Sequence, residues 1–237
     1  MKIKKVIHRN GKSFYWSEGD MGTNQGIIKE EDIKKEGTIV KGHTGKDFGI
    51  FPANFDDNIH KFKREAQGLL KKDVAPIMFN ACLGKDSIIV EAGTGSGILT
   101  AYLARYVKKV VSYDIRADAI NLAKKNLEFV ELSNVEFRNE DVNNIKEKEV
   151  DAVILDLPEP FRNVESAFNS IKQGGYLVGY LPNMTQVIDF VREAEKRFYV
   201  EKVIEVNERE WTVYGQVARP RGDNIAHTAF LIFCRKI

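Results

Sequence analysis

The chain has 237 residues, enough for one large domain or for a small module joined to a domain of ordinary size. Hydrophobic residues make up 43% and charged residues 30%, while Lys plus Arg number 36 against 34 for Asp plus Glu, which excludes a global basic field and leaves any polyanion site to a local patch. No apolar run approaches the roughly 20 residues of a membrane span, the start MKIKKVIHRNGKSFYW has no apolar signal core, and Cys82 and Cys234 lack CxxC spacing. A cytoplasmic protein with two reduced core thiols, no metal and no membrane partner is therefore expected.

Residues 1–57 read as a small antiparallel β module, because short apolar pieces (KKVIH, SFYW, TIVKG, FGIF) are cut by Gly, Asn and Asp at close intervals. Residues 58–83 change to helical periodicity and predict a linking helical segment. Over 84–237 strands and helices alternate. SIIVEAG is a strand running into glycines, and GILTAYLARYV has helical spacing with Ile98, Leu99, Tyr102, Leu103 and Tyr106 on one side. KVVSYD, the short NVEF, DAVILD and GGYLVGYL follow as strands, with ADAINLAKKNLEFV and TQVIDFVREAEKRF as helices. Near-continuous apolar strands between helices predict a parallel sheet covered on both faces. VEKVIEVNEREW and HTAFLIFC follow one another without a helix, which predicts an antiparallel pair at the sheet edge.

EAGTGSG stands where the first of these strands opens into a helix, the place where backbone N–H groups face a ligand. The dinucleotide fingerprint requires a small residue where this chain has Ile98 or Thr100, and no GK[ST] follows for a phosphate-cradling loop. GxGxG at Gly93, Gly95 and Gly97 is the pattern of S-adenosylmethionine-dependent methyltransferases. Asp114, closing the second strand, can accept both hydroxyl protons of a ribose, and Asp141, after the third, can reach an adenine amino group. With Glu91, Thr94, Ser96, Ile115 and Val142 from the same segments, these residues form the candidate cofactor site. The other reading is that glycine turns and strand-end acids occur in any α/β fold. Asp156 closes the fourth strand, where Pro158 and Pro160 prevent continuation as a central strand or a helix interior. It stands at the mouth of the same crevice, or caps the segment that follows.

Over about residues 60–237 the chain resembles the tRNA adenine-N1 methyltransferases that modify adenine 58 of the T-loop, in their homo-oligomeric archaeal and bacterial form. The likeness rests on EAGTGSG, on DLPEP, on YLPNMTQV at 180–187, on EREW at 208–211 and on ARPRGDNIAHTAFL at 218–231. It implies an α/β fold with a class I methyltransferase Rossmann-like sheet, mostly parallel with an antiparallel C-terminal strand, preceded by a small β module. It also implies S-adenosyl-L-methionine as cofactor, tRNA as substrate, adenine 57 as a second target to be tested, and a homotetramer. By position, Asp156 matches the catalytic carboxylate and Tyr180 the aromatic lining the target-base pocket. Gln67, Gly93, Gly95 and Asp114 fall in cofactor-binding segments, Asp156 borders the cofactor as well, and His227 and Thr228 match a signature near the substrate. The acid loop carries Phe161 where the family has Trp, a ring that can still stack, and LLKKD at 69–73 lacks the aromatic of the family's YPKD.

Arg219 and Arg221 are candidate phosphate contacts or solvated loop arginines. His8, Lys12, Tyr15 and Trp16 suit an RNA contact or the packing of a small sheet. Two rival functions remain at this level, a methyltransferase acting on a small molecule or protein and a non-catalytic tRNA-binding subunit.

Overall fold

The computed structural model describes residues 1–35, 37–64, 69–223 and 225–237. They group into two compact units, Met1–Lys63 with Glu128–Glu131, and Arg64–Leu127 with Leu132–Ile237.

The first unit holds β1 (Lys5–Arg9), β2 (Lys12–Trp16), β3 (Met21–Thr23), β4 (Gly26–Ile28), α1 (Glu30–Lys34), β5 (Ile39–Lys41), β6 (Asp47–Pro52) and α2 (Phe55–Ile59). Four of its strands form an antiparallel sheet in the order β2-β1-β6-β5, and β3 pairs with β4 as a separate hairpin. Asn10 and Gly11 both take positive φ between β1 and β2, the backbone that a two-residue hairpin with right-handed twist requires. Ile7, Trp16, Ile28, Ile33, Val40, Phe48 and Ile50 pack into one core. Trp16 therefore belongs to packing, with its indole N–H donating to the Gly19 carbonyl at 2.7 Å.

The second unit begins with α3 (Lys71–Asn80). It continues through β7 (Ile88–Ala92), α4 (Ile98–Ala104), β8 (Lys109–Tyr113), α5 (Ala117–Phe129) and β9 (Val135–Arg138). After a short turn at Val142–Asn144 come β10 (Val150–Leu155), a second turn at Pro160–Asn163, α6 (Val164–Ser170), β11 (Ile171–Leu181) and α7 (Met184–Ala194). β12 (Phe198–Glu205), β13 (Trp211–Tyr214), β14 (Val217–Pro220) and β15 (Phe230–Lys236) complete it. Seven strands form one sheet in the order β12-β15-β11-β10-β7-β8-β9, parallel from β11 to β9, with β15 antiparallel to both β11 and β12. Alternate residues of the strands feed two cores, one containing Val90, Val111, Val153, Leu155 and Leu177, the other Ile89, Val110, Ala152, Ile154 and Val178. That period of two is what a sheet buried on both faces requires. The chain leaves β7 toward β8 on one side and reaches β10 on the other, so the switch point of the sheet lies between the ends of β7 and β10.

Four sequence expectations are corrected. Of the described residues in the segment 58–83, only Asn58, Ile59 and α3 are helical, and Phe62 and Leu69 are buried outside these helices although their spacing imitates a helix face. α4 ends at Ala104, so Tyr106 falls beyond it and is exposed. Only Cys234 is a core thiol, its pKa pushed up to about 12 by burial, whereas Cys82 is exposed with positive φ just after α3. Between the two C-terminal strands stands an unforeseen hairpin, β13–β14, whose Trp211, Val213, Tyr214 and Val217 are exposed. Among the described residues no helix is long and apolar enough to cross a membrane.

Candidate active site

The end of β7 and the end of β10 touch through backbone. The Asp156 N–H donates to the Ala92 carbonyl at 2.9 Å. One residue on, Gly93 has φ +96, and a Cβ there would lie 2.1 Å from the Asp156 carbonyl oxygen, so no side chain fits. Gly97, N-cap of α4, is constrained from the other side: its Cβ would stand 2.8 Å from Leu127 Cδ1 and 2.9 Å from Ala123 Cβ of α5. Between them the Gly95 N–H donates to Asp114 Oδ2 at 3.1 Å, and the Arg116 N–H to Oδ1 at 2.9 Å. The acid after β8 thus braces the glycine turn.

Glu91 lies beneath that turn and is fully buried. Its Oε2 accepts from Thr100 Oγ1 and from Ser112 Oγ, both at 2.7 Å. Ser112 has spent its proton on Glu91, so in the 2.7 Å contact with Thr94 Oγ1 it accepts. Glu91 Oε1 has no partner among the described residues, and burial pushes the carboxyl pKa up to about 7.

Above the turn opens a cavity of about 780 Å3, within the usual range for small-molecule sites. Gly93, Thr94, Gly95, Ser96, Asp114, Ile115, Asp141, Val142 and Asp156 line it, so four strand ends that are remote in sequence meet on one surface. Asp141 Oδ1 accepts from the Asn143 N–H at 2.8 Å, which sets the turn after β9. The Asp156 side chain makes no hydrogen bond or ion pair among the described residues. Enclosure alone pushes its pKa up to about 7.

The remaining sequence candidates do not line this cavity. Glu91 and Gly97 support the turn without lining the cavity. Phe161, Tyr180, Arg219, Arg221, His227 and Thr228 do not line it either, and Gln67 lies outside the described residues. Phe161 packs against the core, with the Arg162 guanidinium 5.8 Å from its ring. Arg219 is exposed on β14. Arg221 is engaged by Glu210 and by Asp223, each at 2.6 Å, so its charge is already met. His227 Nδ1 lies 2.5 Å from Glu205 and Nε2 2.9 Å from the Pro182 carbonyl, contacts that raise its pKa. Thr228 donates to Asp73 and accepts from Lys72.

The sequence motifs nevertheless interlock. Gln186 Nε2 donates to the Pro158 carbonyl at 2.8 Å, while its Oε1 accepts from the Asn183 N–H at 3.2 Å, so YLPNMTQV clamps the acid loop. Gln186 had no assigned role, and neither did Arg162, Asn143 and Asn163, which also line the cavity. Arg162 and Asn163 directly follow Phe161 and could have been read as part of the acid loop.

A parallel sheet with this strand order, an antiparallel penultimate strand and a glycine turn at its switch point defines the class I methyltransferase fold. Residues 60–218 match the family described as tRNA methyltransferase complex GCD14 subunit, and the chain belongs to that family. It is 37% identical to the tRNA (adenine(58)-N(1))-methyltransferase of Thermus thermophilus over 90% of this chain and 87% of that one. It is 32% identical to the tRNA (adenine(57)-N(1)/adenine(58)-N(1))-methyltransferase of Methanocaldococcus jannaschii over 98% and 94%. Among solved structures, the tRNA (m1A58) methyltransferase of Aquifex aeolicus matches with TM-score 0.88 at 27% identity, covering 100% of this chain and 98% of that one. A SAM-dependent O-methyltransferase from Thermotoga maritima matches with TM-score 0.89 at 27% identity, covering 99% and 93%.

Two outcomes follow. Gly93→Ala is expected to cost more than the about 1–2 kcal/mol of a left-handed L-residue, because the β7 and β10 ends must also part; a loss below about 1 kcal/mol in urea denaturation would contradict the contact. The Asp156 carboxyl binds its proton more tightly folded (about 7) than unfolded (3.8), so its contribution to stability falls as pH rises through that window. Asp156→Asn should therefore raise Tm at about pH 9 and change it little at about pH 4. An equal Tm change at both pH values would show that Asp156 is not desolvated.

Proposed function

We propose that this chain transfers a methyl group from S-adenosylmethionine to N1 of adenine 58 in the T-loop of tRNA. The observation that carries the reading is Asp156, an enclosed carboxylate without a hydrogen-bond or ion-pair partner among the described residues, on the wall of the cavity that the glycine turn floors.

The cavity suits the cofactor on structural grounds. The backbone of Gly93–Gly95 comes close because no side chain intervenes. Asp114 stands at the β8 end to hold the ribose, and Asp141 and Val142 at the β9 end to hold the adenine of the cofactor. When bound, S-adenosylmethionine supplies a methyl group already activated on a sulfonium, so the protein's task is chiefly to orient the acceptor. Alkylation of N1 spreads positive charge onto the N6 amino group. Asp156 accepts a hydrogen bond from N6 and holds that charge more strongly as it develops. The clamp from Gln186 to Pro158 keeps the acid in place, and Tyr180, one strand away at the end of β11, offers an aromatic wall to the target base.

In this reading a T-loop adenine is extracted from the tRNA fold before it reacts. The protein works in the cytoplasm as a homotetramer, and the exposed apolar residues of the β13–β14 hairpin support association. Arg219 remains a candidate phosphate contact, and adenine 57 a second acceptor, as in the name of the Methanocaldococcus relative.

Incubation with labelled cofactor and unmodified tRNA, followed by digestion and mass spectrometry, should place 1-methyladenosine at position 58. Methyl transfer to another site, or none, would overturn the reading. Asp156→Ala should lower kcat by about 10²–10⁴-fold with cofactor affinity retained.

A further inference from the structure

The neighbouring strands β10 and β11 end alike. Leu155 pairs with Gly179, so Asp156-Leu157-Pro158 leaves β10 beside Tyr180-Leu181-Pro182 at the end of β11. A proline has no N–H, so its carbonyl is the one backbone group by which such an end can be held. Each carbonyl meets a side chain: Pro158 accepts from Gln186 Nε2 at 2.8 Å, and Pro182 accepts from His227 Nε2 at 2.9 Å. The two holds are joined, because Gln186 Oε1 accepts from the N–H of Asn183, the residue after Pro182, at 3.2 Å.

The other His227 nitrogen, Nδ1, lies 2.5 Å from Glu205 Oε1 at the end of β12. A carbonyl can only accept, and so can an ionised carboxylate, so both ring nitrogens carry protons and His227 is an imidazolium. A neutral ring has one proton for two acceptors. The charge-assisted bond to Glu205 is the stronger, so loss of the proton releases Pro182. The Pro182 carbonyl and Glu205 raise the ring pKa above 6.5 and Lys72 on α3 opposes them, while the Phe230 ring of β15, 4.9 Å away, adds no charge. The hold on Pro182 is therefore complete below pH 6.5 and is lost as the pH rises through the folded value. Both side chains of the pair are partly exposed, so it contributes little to stability. What it fixes is orientation.

We infer that His227 is a positioning residue: as an imidazolium braced by Glu205 it holds the Pro182 carbonyl, and through Asn183 and Gln186 the Pro158 carbonyl, so that Tyr180 and Asp156, each two residues before its proline, stay in register. The inference rests on the function proposed above for the roles of Tyr180 and Asp156, but the geometry it claims is independent of that function.

The test compares the full-length protein with His227→Leu. In long-range 1H–15N spectra of the four histidines, His227, assigned by its absence in the variant, should titrate between a ring with both nitrogens protonated and a neutral one with a midpoint above 6.5. A midpoint at or below that value would overturn the inference. With tRNA transcript and S-adenosylmethionine, His227→Leu should lower kcat by about 10–10²-fold below the midpoint, as displacement of a positioning contact does, with KM for the cofactor unchanged. The ratio of wild-type to variant kcat should then fall toward one as the pH rises through the midpoint. A ratio constant across it would overturn the inference, because a merely structural role does not follow the charge of the ring. A further readout needs no activity: amide hydrogen exchange over residues 157–161 should be faster in His227→Leu, and unchanged exchange there would overturn the inference even if the protein methylates tRNA. If tRNA is not methylated, the proposed function fails, and the ring titration and the exchange rates still decide this one.

Discussion

The site depends on one backbone contact between neighbouring parallel strands. Asp156 donates its N–H to Ala92 and lays its carbonyl over Gly93, so the end of β10 and the glycine turn after β7 form one unit. Because both lie at the switch point of the sheet, the crevice that the topology opens is floored by one strand end and walled by the other. Every other element of the site is referred to this contact. Asp114 braces the turn from β8, Glu91 and its hydroxyl chain support it from below, and Gln186 secures the acid loop from α7.

The electrostatics show where stability yields to function. Glu91 and Asp156 are two carboxyls within one small region, each with its pKa pushed up to about 7, chiefly by burial. Glu91 is partly compensated by Thr100 and Ser112, as befits a supporting group. Asp156 has no such compensation among the described residues, the condition in which a carboxylate gains most from a ligand that brings a hydrogen-bond donor and developing positive charge. A half-buried acid without a partner among the described residues is hard to explain by packing, since a neutral residue of the same size would be more stable there.

Much of the sheet was legible in the sequence because fully buried parallel strands leave runs such as IIVEA and DAVILD that polar segments cannot imitate. The glycine turn and the strand-end acids were legible for the same reason: each closes such a run. Within the linking segment, Phe62 and Leu69 are buried at helical spacing outside α2 and α3, so burial periodicity alone does not mark where its helices run. The β13–β14 hairpin was missed because its apolar residues face outward, so no alternation marks it. Thr228 lies 155 residues from Asp73 in the chain, and no local pattern reveals that the adjacent Lys72–Asp73 pair at a helix start is buried. His227 and Thr228, legible only as a motif, hydrogen-bond in the structure to Glu205, Pro182, Asp73 and Lys72, partners that no local pattern names.

The most direct test is a crystal structure of the protein with S-adenosylhomocysteine and a T-arm oligonucleotide carrying the target adenine. The account predicts the adenine N6 about 2.8–3.0 Å from an Asp156 carboxylate oxygen, with the cofactor product along Gly93–Gly95 and Asp114. An Asp156 side chain turned away from the base, or a base bound outside this cavity, would contradict it.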